Sequence, residues 1–235
     1  SFIDCENSYD QAYEYAKENS LDGVVVVEEF VNGDEVSVEA FVENGEVRII
    51  QITDKITTGA PHFVEMGHNQ PSAHPEHIVT LIEETTINAV KALKIEGGPV
   101  HAELKVAKDG VKVIELGARL GGDYIATDLV PLSTGVDLVE ANIKWALGLP
   151  FNLDKKYSRH AAIRYLDHLD SIELDASVLC CLDHFAWNRL ESWEIQSSRD
   201  REACFIVSDS SYANMDKKIE LMRHVLKDRC AKMYW

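Results

Sequence analysis

Val100-His101-Ala102-Glu103-Leu104-Lys105-Val106-Ala107-Lys108-Asp109-Gly110-Val111-Lys112-Val113-Ile114-Glu115-Leu116 reads as two strands turning at Asp109-Gly110. A three-residue loop, Lys108 to Gly110, sets Ala107 opposite Val111, with Gly110 supplying the left-handed backbone such loops need. Counting back along both arms brings Glu103 directly opposite Glu115, on one face of the pair. Opposed residues have Cβ atoms about 4.5–5.5 Å apart, and like charges there repel. Compensation comes either from Lys105, which shares that face with His101, or from a divalent cation. Magnesium suits the second option, because it takes one or two carboxylates plus substrate phosphates at about 2.0–2.1 Å.

The residues that follow favour a ligand. Gly117-Ala118-Arg119-Leu120-Gly121-Gly122-Asp123 leaves the second strand with glycines that let the backbone approach a bound molecule, and Arg119 offers a fork for phosphate or carboxylate. A second hairpin lies upstream. From Glu35 the chain alternates, with Val36, Val38, Ala40 and Val42 on one face and Ser37, Glu39, Phe41 and Glu43 on the other. It turns at Asn44-Gly45 and returns along Val47 to Ile52. Val24 to Val27 reads as a buried strand, and Thr53 to Ser72 as a long irregular loop of the functional or mobile kind.

Helices are predicted over Ser8–Asn19, with a Ser8/Gln11 capping box, and over Pro75–Lys94, with Ile78, Leu81, Ile82, Thr85, Ala89 and Leu93 facing inward. Two more are predicted over Asp137–Leu147 and, capped by Asn214, over Asn214–Asp228. His160–Leu166 and Ala203–Ser208 read as strands, and a change of character near residues 150–158 marks a domain boundary.

The chain has 235 residues and a formal charge of -17, which argues against nucleic acid as a partner. A nucleotide site in so acidic a chain needs metal and local cations to reverse the field. No apolar run approaches the ~20 residues of a membrane span. The start at Ser1, lacking an initiator Met and a basic leader, reads as a cut end. Five cysteines without metal-type spacing read as reduced thiols, consistent with a cytoplasmic protein.

Two motifs resemble the ATP-grasp superfamily over residues 1–150. Val27-Glu28-Glu29-Phe30-Val31-Asn32-Gly33-Asp34-Glu35 is similar to its adenine and ribose linker. His101-Ala102-Glu103 with Ile114-Glu115-Leu116-Gly117-Ala118-Arg119 is similar to its paired metal ligands and phosphate-contacting Arg. Thr53-Asp54-Lys55, Phe63-Val64-Glu65-Met66-Gly67-His68 and Pro131 to Leu138 resemble the carboxylate–amine ligase branch related to biotin carboxylase and L-amino acid ligases.

The resemblance implies an α+β fold: an antiparallel ATP-grasp sheet with flanking helices over 1–150 and a small β-rich, barrel-like lobe over 151–235. It implies ATP and Mg2+ as cofactors, small-molecule carboxylate and amine substrates joined through an acyl phosphate, and a homodimer by analogy with biotin carboxylase. Glu28, Glu29, Phe30, Val31 and Glu35 would hold the nucleotide, and Glu103 and Glu115 the metal. Arg119 and Lys55 would neutralise phosphate charge, and Glu65, His68, Gly121 and Gly122 would shape the substrate side. Where many relatives have an Asn as a further metal ligand this chain has Gly117, and the upstream Gly-rich phosphate loop is missing, so the fragment is expected to be inactive alone. The alternatives are a carboxylase or carbamoyl-phosphate-synthase-like enzyme acting on bicarbonate, and a non-catalytic remnant used for dimerisation.

Overall fold

A computed structural model describes residues 3, 8–167, 176–187 and 195–226. Its centre is one eight-stranded sheet in the order β5-β4-β1-β2-β3-β6-β8-β7. The strands are β1 (Gly33–Glu43), β2 (Glu46–Thr57), β3 (Glu65–Gln70), β4 (Gly98–Ala107), β5 (Gly110–Gly117), β6 (His160–Leu166), β7 (His184–Trp187) and β8 (Ala203–Asp209). Every pairing between neighbours is antiparallel. The helices are α1 (Tyr9–Glu18), α2 (Glu76–Ala92), α3 (Val130–Thr134), α4 (Leu138–Ala146), α5 (Ala176–Leu179) and α6 (Tyr212–Leu226). None of them is long and apolar enough to cross a membrane.

The first hairpin follows its sequence. Glu43 pairs with Glu46 across Asn44 and Gly45, both with positive φ, as a two-residue turn of primed type requires. Both faces of β1 are buried, so its alternation separates two environments rather than inside from outside. Val36, Val38 and their neighbours Ala102 and Leu104 pack under Ile82 of α2. Phe41, on the opposite face, packs with Ala126, Val130, Leu138 and Ala141, from the segment that follows β5.

Several expectations need correction. Val24 to Val27 is not a buried strand: no strand is assigned there, and Val24, Val26 and Val27 are more than half exposed. The segment runs past edge strand β5 without adding to the ladder, so its side chains wall a cleft instead. Nor is Thr53 to Ser72 irregular throughout, since β2 continues to Thr57 and β3 occupies mid-sheet. There the buried amides are satisfied in a chain: Gln51 donates to the Ser133 hydroxyl (3.0 Å), which donates to Gln70 (2.9 Å), which donates to Thr53 (2.8 Å).

The buried stripe of α2 is Ile82, Thr86 and Val90, one residue round from the expected face, leaving Leu81 and Leu93 exposed. α1 buries none of its residues, and Ser8 makes no side-chain capping bond there. A π-helical turn (Ile125–Leu129) and α3 precede α4, where a single helix was expected. α4 is as read, with Asp137 accepting from the Glu140 amide at 2.8 Å.

β6 and β8 have the expected positions, and they continue the same sheet through β3, whose Gly67 to Gln70 pair with Ala161 to Arg164. The expected boundary near 150–158 falls on the stretch between α4 and β6 that is neither helix nor strand. α6 begins at Tyr212, and its Asn214 amide is capped by the Ser211 hydroxyl at 3.3 Å, so Ser211 takes the role expected of Asn214. The expected end at Asp228 lies outside the described residues, as do Cys5 and Cys230.

Candidate functional site

The decisive hairpin reaches the expected pairing by another route. Its loop has two residues, with Ala107 paired to Gly110, one step short of the expected register. A bulge at Ile114 restores the step, so that Glu103 pairs with Glu115 and His101 with Gly117. Glu103 and Glu115 therefore project from one face, which β1 continues with Glu35, Ser37 and Glu39.

Lys55 is the hub of this face. Its side chain is 1% exposed, and its Nζ lies 2.5 Å from Glu65, 2.8 Å from Glu103 and 3.4 Å from Glu35. Burial alone would lower its pKa, but Glu65 and Glu103 outweigh burial and raise it. Lys105 turns to Glu35 instead, at 2.8 Å. Of the two compensations weighed for Glu103, then, Lys105 is not the one made; Lys55 and His101 take that role.

The His101 ring sits between two carboxylates, its Nδ1 against Glu39 and its Nε2 3.2 Å from Glu103. Burial would depress the imidazole, yet Glu103 and Glu39 raise its pKa to about 9. The hydrogen bond with His101 and the charge of Lys55 hold Glu103 at about 2 against the opposing effect of burial. Glu115 and Arg119 are more exposed and pair with each other at 3.1 Å.

Beside the hairpin opens a cleft of about 390 Å³. Its walls include Val27, Phe30, Val31, Phe63 and Ile114, with Glu28, Glu29, Glu35 and Lys105 among the polar lining. The Phe30 and Phe63 rings lie 5.7 Å apart. All five residues expected to hold a nucleotide thus line one cleft, mostly apolar with a few polar groups, as small-molecule sites are. Ala12, Tyr13 and Ala16 of α1 close its outer side. The bulged Ile114 is part of the wall, so one irregularity serves both the cleft and the carboxylate pair.

A second corner gathers Glu65, His68 and Asp123, whose candidate ligand atoms all lie within 4.8 Å of one another. His68 is fully buried, its Nε2 is 3.7 Å from Asp123, and neither ring nitrogen has a hydrogen-bond partner. Arg201 grips both Asp123 oxygens at 2.7 and 2.8 Å and stacks 3.8 Å over the Tyr165 ring. Burial opposes the charge on Asp123, but His68 and Arg201 beside it hold the carboxyl well below the usual range. Asp123 and Tyr124 both adopt left-handed backbone, which sets this corner at the end of the glycine loop.

Gly121 donates its amide to Glu39 at 3.1 Å, and a Cβ there would lie 2.5 Å from the Glu39 carboxylate. Gly122 faces open space. Sequence reasoning missed Glu39, Phe63, Asp123, Arg201 and Tyr165 as parts of the site. Asp123 carried a signal as the acidic end of the glycine run, and Phe63 as the first residue of the Phe63–His68 motif.

The residue types fit Mg2+ and a nucleotide. Glu103 is ionised and sits beside a second carboxylate, giving hard oxygen donors, and Lys55 and Arg119 supply positive charge where phosphates would lie.

Comparison with known proteins identifies the family. The ATP-grasp domain model matches residues 2–128. Carnosine synthase 1 of Gallus gallus is 29% identical over 122 residues, 52% of this chain and 13% of that protein. The phosphoribosylamine–glycine ligase of Lactococcus lactis is 31% identical over 132 residues, 52% of this chain and 32% of that protein. The crystal structure of an L-amino acid ligase from Bacillus licheniformis superposes with a TM-score of 0.79 and 23% identity, covering 99% of this chain and 60% of that one. The chain thus spans a third or less of these two curated relatives. By its matched residues and its sheet, the chain belongs to the ATP-grasp family.

Proposed function

We propose that this chain carries the nucleotide- and metal-binding part of an ATP-dependent carboxylate–amine ligase. In that reaction a substrate carboxylate oxygen bonds to the γ-phosphorus of ATP as ADP leaves, and the amine then bonds to the acyl carbon as phosphate leaves. The observation that carries the reading is the joining of the Glu28–Val31 cleft to the Glu103/Glu115 pair through Ile114, Glu35 and Lys105. Ligation of a carboxylate to an amine is also what the names of phosphoribosylamine–glycine ligase and L-amino acid ligase point to.

The cleft walls Phe30 and Phe63 would flank the base, and Glu35 would accept from the ribose hydroxyls. Glu103 and Glu115 would hold Mg2+, which when bound neutralises phosphate charge and fixes phosphate geometry. Lys55 sits on Glu103, and Arg119 on Glu115, each ready to add a contact to phosphate or to the substrate carboxylate. The Glu65, His68 and Asp123 corner is linked to the hairpin through Lys55, which bonds both Glu65 and Glu103, and would face the substrates. Such a site works by placement and charge rather than by covalent participation.

The test is calorimetric titration of the full-length protein with a non-hydrolysable ATP analogue and Mg2+, beside Glu115→Gln. Equal binding by both would remove the metal assignment. Phosphate release that requires both a carboxylate and an amine supports the ligase; release with bicarbonate and no amine selects the carboxylase instead.

A further inference from the structure

We infer that Glu39 is a positioning residue that ties the Gly117–Asp123 loop to the metal-binding hairpin, so that Glu103 and Arg119 meet the same phosphates. The inference rests on the ligase reading above and adds a residue that reading does not use.

Glu39 is only 1% exposed in the middle of β1, and among the described residues its recorded ion-pair partner is His101, its register neighbour on β4. One oxygen meets His101 Nδ1, and the other accepts the Gly121 amide at 3.1 Å. The second ring nitrogen of His101 lies 3.2 Å from Glu103. A single buried carboxylate therefore links a loop backbone, an imidazole and the expected metal ligand in series.

Burying a carboxylate is costly, and fully buried Phe41, two residues on and on the same face of β1, shows that this face accepts apolar side chains. A loop anchor alone would explain the Gly121 bond but not the second link through His101 to Glu103. Gly121 carries the same message from the other side: a Cβ there would lie 2.5 Å from Glu39 Oε1 and 2.8 Å from His101 Nδ1. The loop is seated so closely that only glycine fits. Groups that orient a metal ligand through an imidazole typically matter about 10–100-fold in metal affinity or activity.

The experiment measures binding of a non-hydrolysable ATP analogue by the full-length protein, with and without Mg2+. Glu39→Ala is expected to weaken the Mg2+-dependent affinity by about 10–100-fold while Mg2+-free binding stays within about twofold. Glu39→Gln, whose amide oxygen still accepts from Gly121, is expected to recover most of the loss. Gly121→Ala, which forces a methyl group against an unchanged Glu39, is expected to reproduce it and serves as the reading if Glu39→Ala does not fold. Equal losses with and without Mg2+ mean a merely structural role and overturn the inference. Unchanged Mg2+-dependent binding in Glu39→Ala or Gly121→Ala, beside a clear loss in Glu115→Gln, overturns it while leaving the ligase reading intact. No loss in Glu115→Gln refutes the metal site itself, and the inference with it.

Discussion

Replacing Lys55 with Met removes an ammonium that three carboxylates share and leaves an apolar stem of similar length. At separations near 3 Å and an effective dielectric of about 20, each lost attraction is about 5–6 kcal/mol before solvation is counted. The ammonium also regains its hydration in the unfolded reference, so the sum of three such terms overshoots. Removing one partner of a buried pair costs about 3–5 kcal/mol in practice. An independent bound agrees: a stranded carboxylate can bind a proton, which at pH 7 costs about 3.7 kcal/mol for a group with an ordinary pKa near 4.3.

The same reasoning fixes the pH dependence. In the variant Glu103 keeps His101 and Glu35 keeps Lys105, so Glu65 is the carboxylate that loses its cation; the deficit is full at neutral pH and shrinks as pH falls toward the ordinary carboxylate range, where a proton can replace the lost ammonium. The wild type behaves oppositely at Glu103. With a folded pKa of about 2, its contribution is present above the unfolded pKa and is lost as pH falls through about 2. Urea denaturation followed by circular dichroism should therefore show Lys55→Met less stable by about 3–4 kcal/mol at pH 7 and by about 1 kcal/mol at pH 5. A loss below about 1 kcal/mol at pH 7, or one that does not shrink at pH 5, would refute the account of Lys55 as the electrostatic hub.

Other consequences are simpler to measure. Ile82→Ala should cost about 2–5 kcal/mol in the same denaturation assay while exposed Leu81→Ala stays within about 0.5; the reverse order would mean that the face of α2 is misassigned. Gly97→Ala would put a Cβ 2.6 Å from the Trp145 ring, and should destabilise by about 1–3 kcal/mol with a shift in tryptophan emission. Burial pushes the Cys204 thiol up to about 11, leaving about one thiolate in a thousand at pH 8, so iodoacetamide should label exposed Cys180 well before Cys204, as mass spectrometry would reveal.

The hairpins were legible because period-two alternation and turn chemistry act locally. Asn44-Gly45 needs no knowledge of the rest of the chain. β3 was hidden because Glu65 to Gln70 is polar, and its burial is tolerable only once Thr53 and Ser133 supply partners from elsewhere. Val24 to Val27 misled for the converse reason: an apolar β-branched run signals a strand, but no neighbouring edge pairs with it. Within the site, Glu103 and Glu115 could be placed against each other by counting, although a shorter turn and an unforeseen bulge cancelled to give that result. The Asp123–Arg201 pair could not, since its members are 78 residues apart and meet only when β8 has joined the sheet. Glu39 gave no sign of its burial because alternation cannot say that a glycine loop will cover that face.

The extra residue at Ile114 works as a phase shifter between the tip of the hairpin and its exit. Side chains in a strand point up and down in turn, so without the bulge Ile114 itself would oppose Glu103, and everything from Glu115 onward would be inverted relative to β4. Glu115 would then look toward the α2 side of the sheet, while the tip at Lys108-Asp109 would be unchanged. The tip should accordingly accept changes of sequence freely, and deletion of Ile114 alone, which removes the bulge together with the extra residue, should leave Glu115 opposite Glu103 and keep any metal binding that needs both carboxylates, at the loss of one wall residue of the cleft.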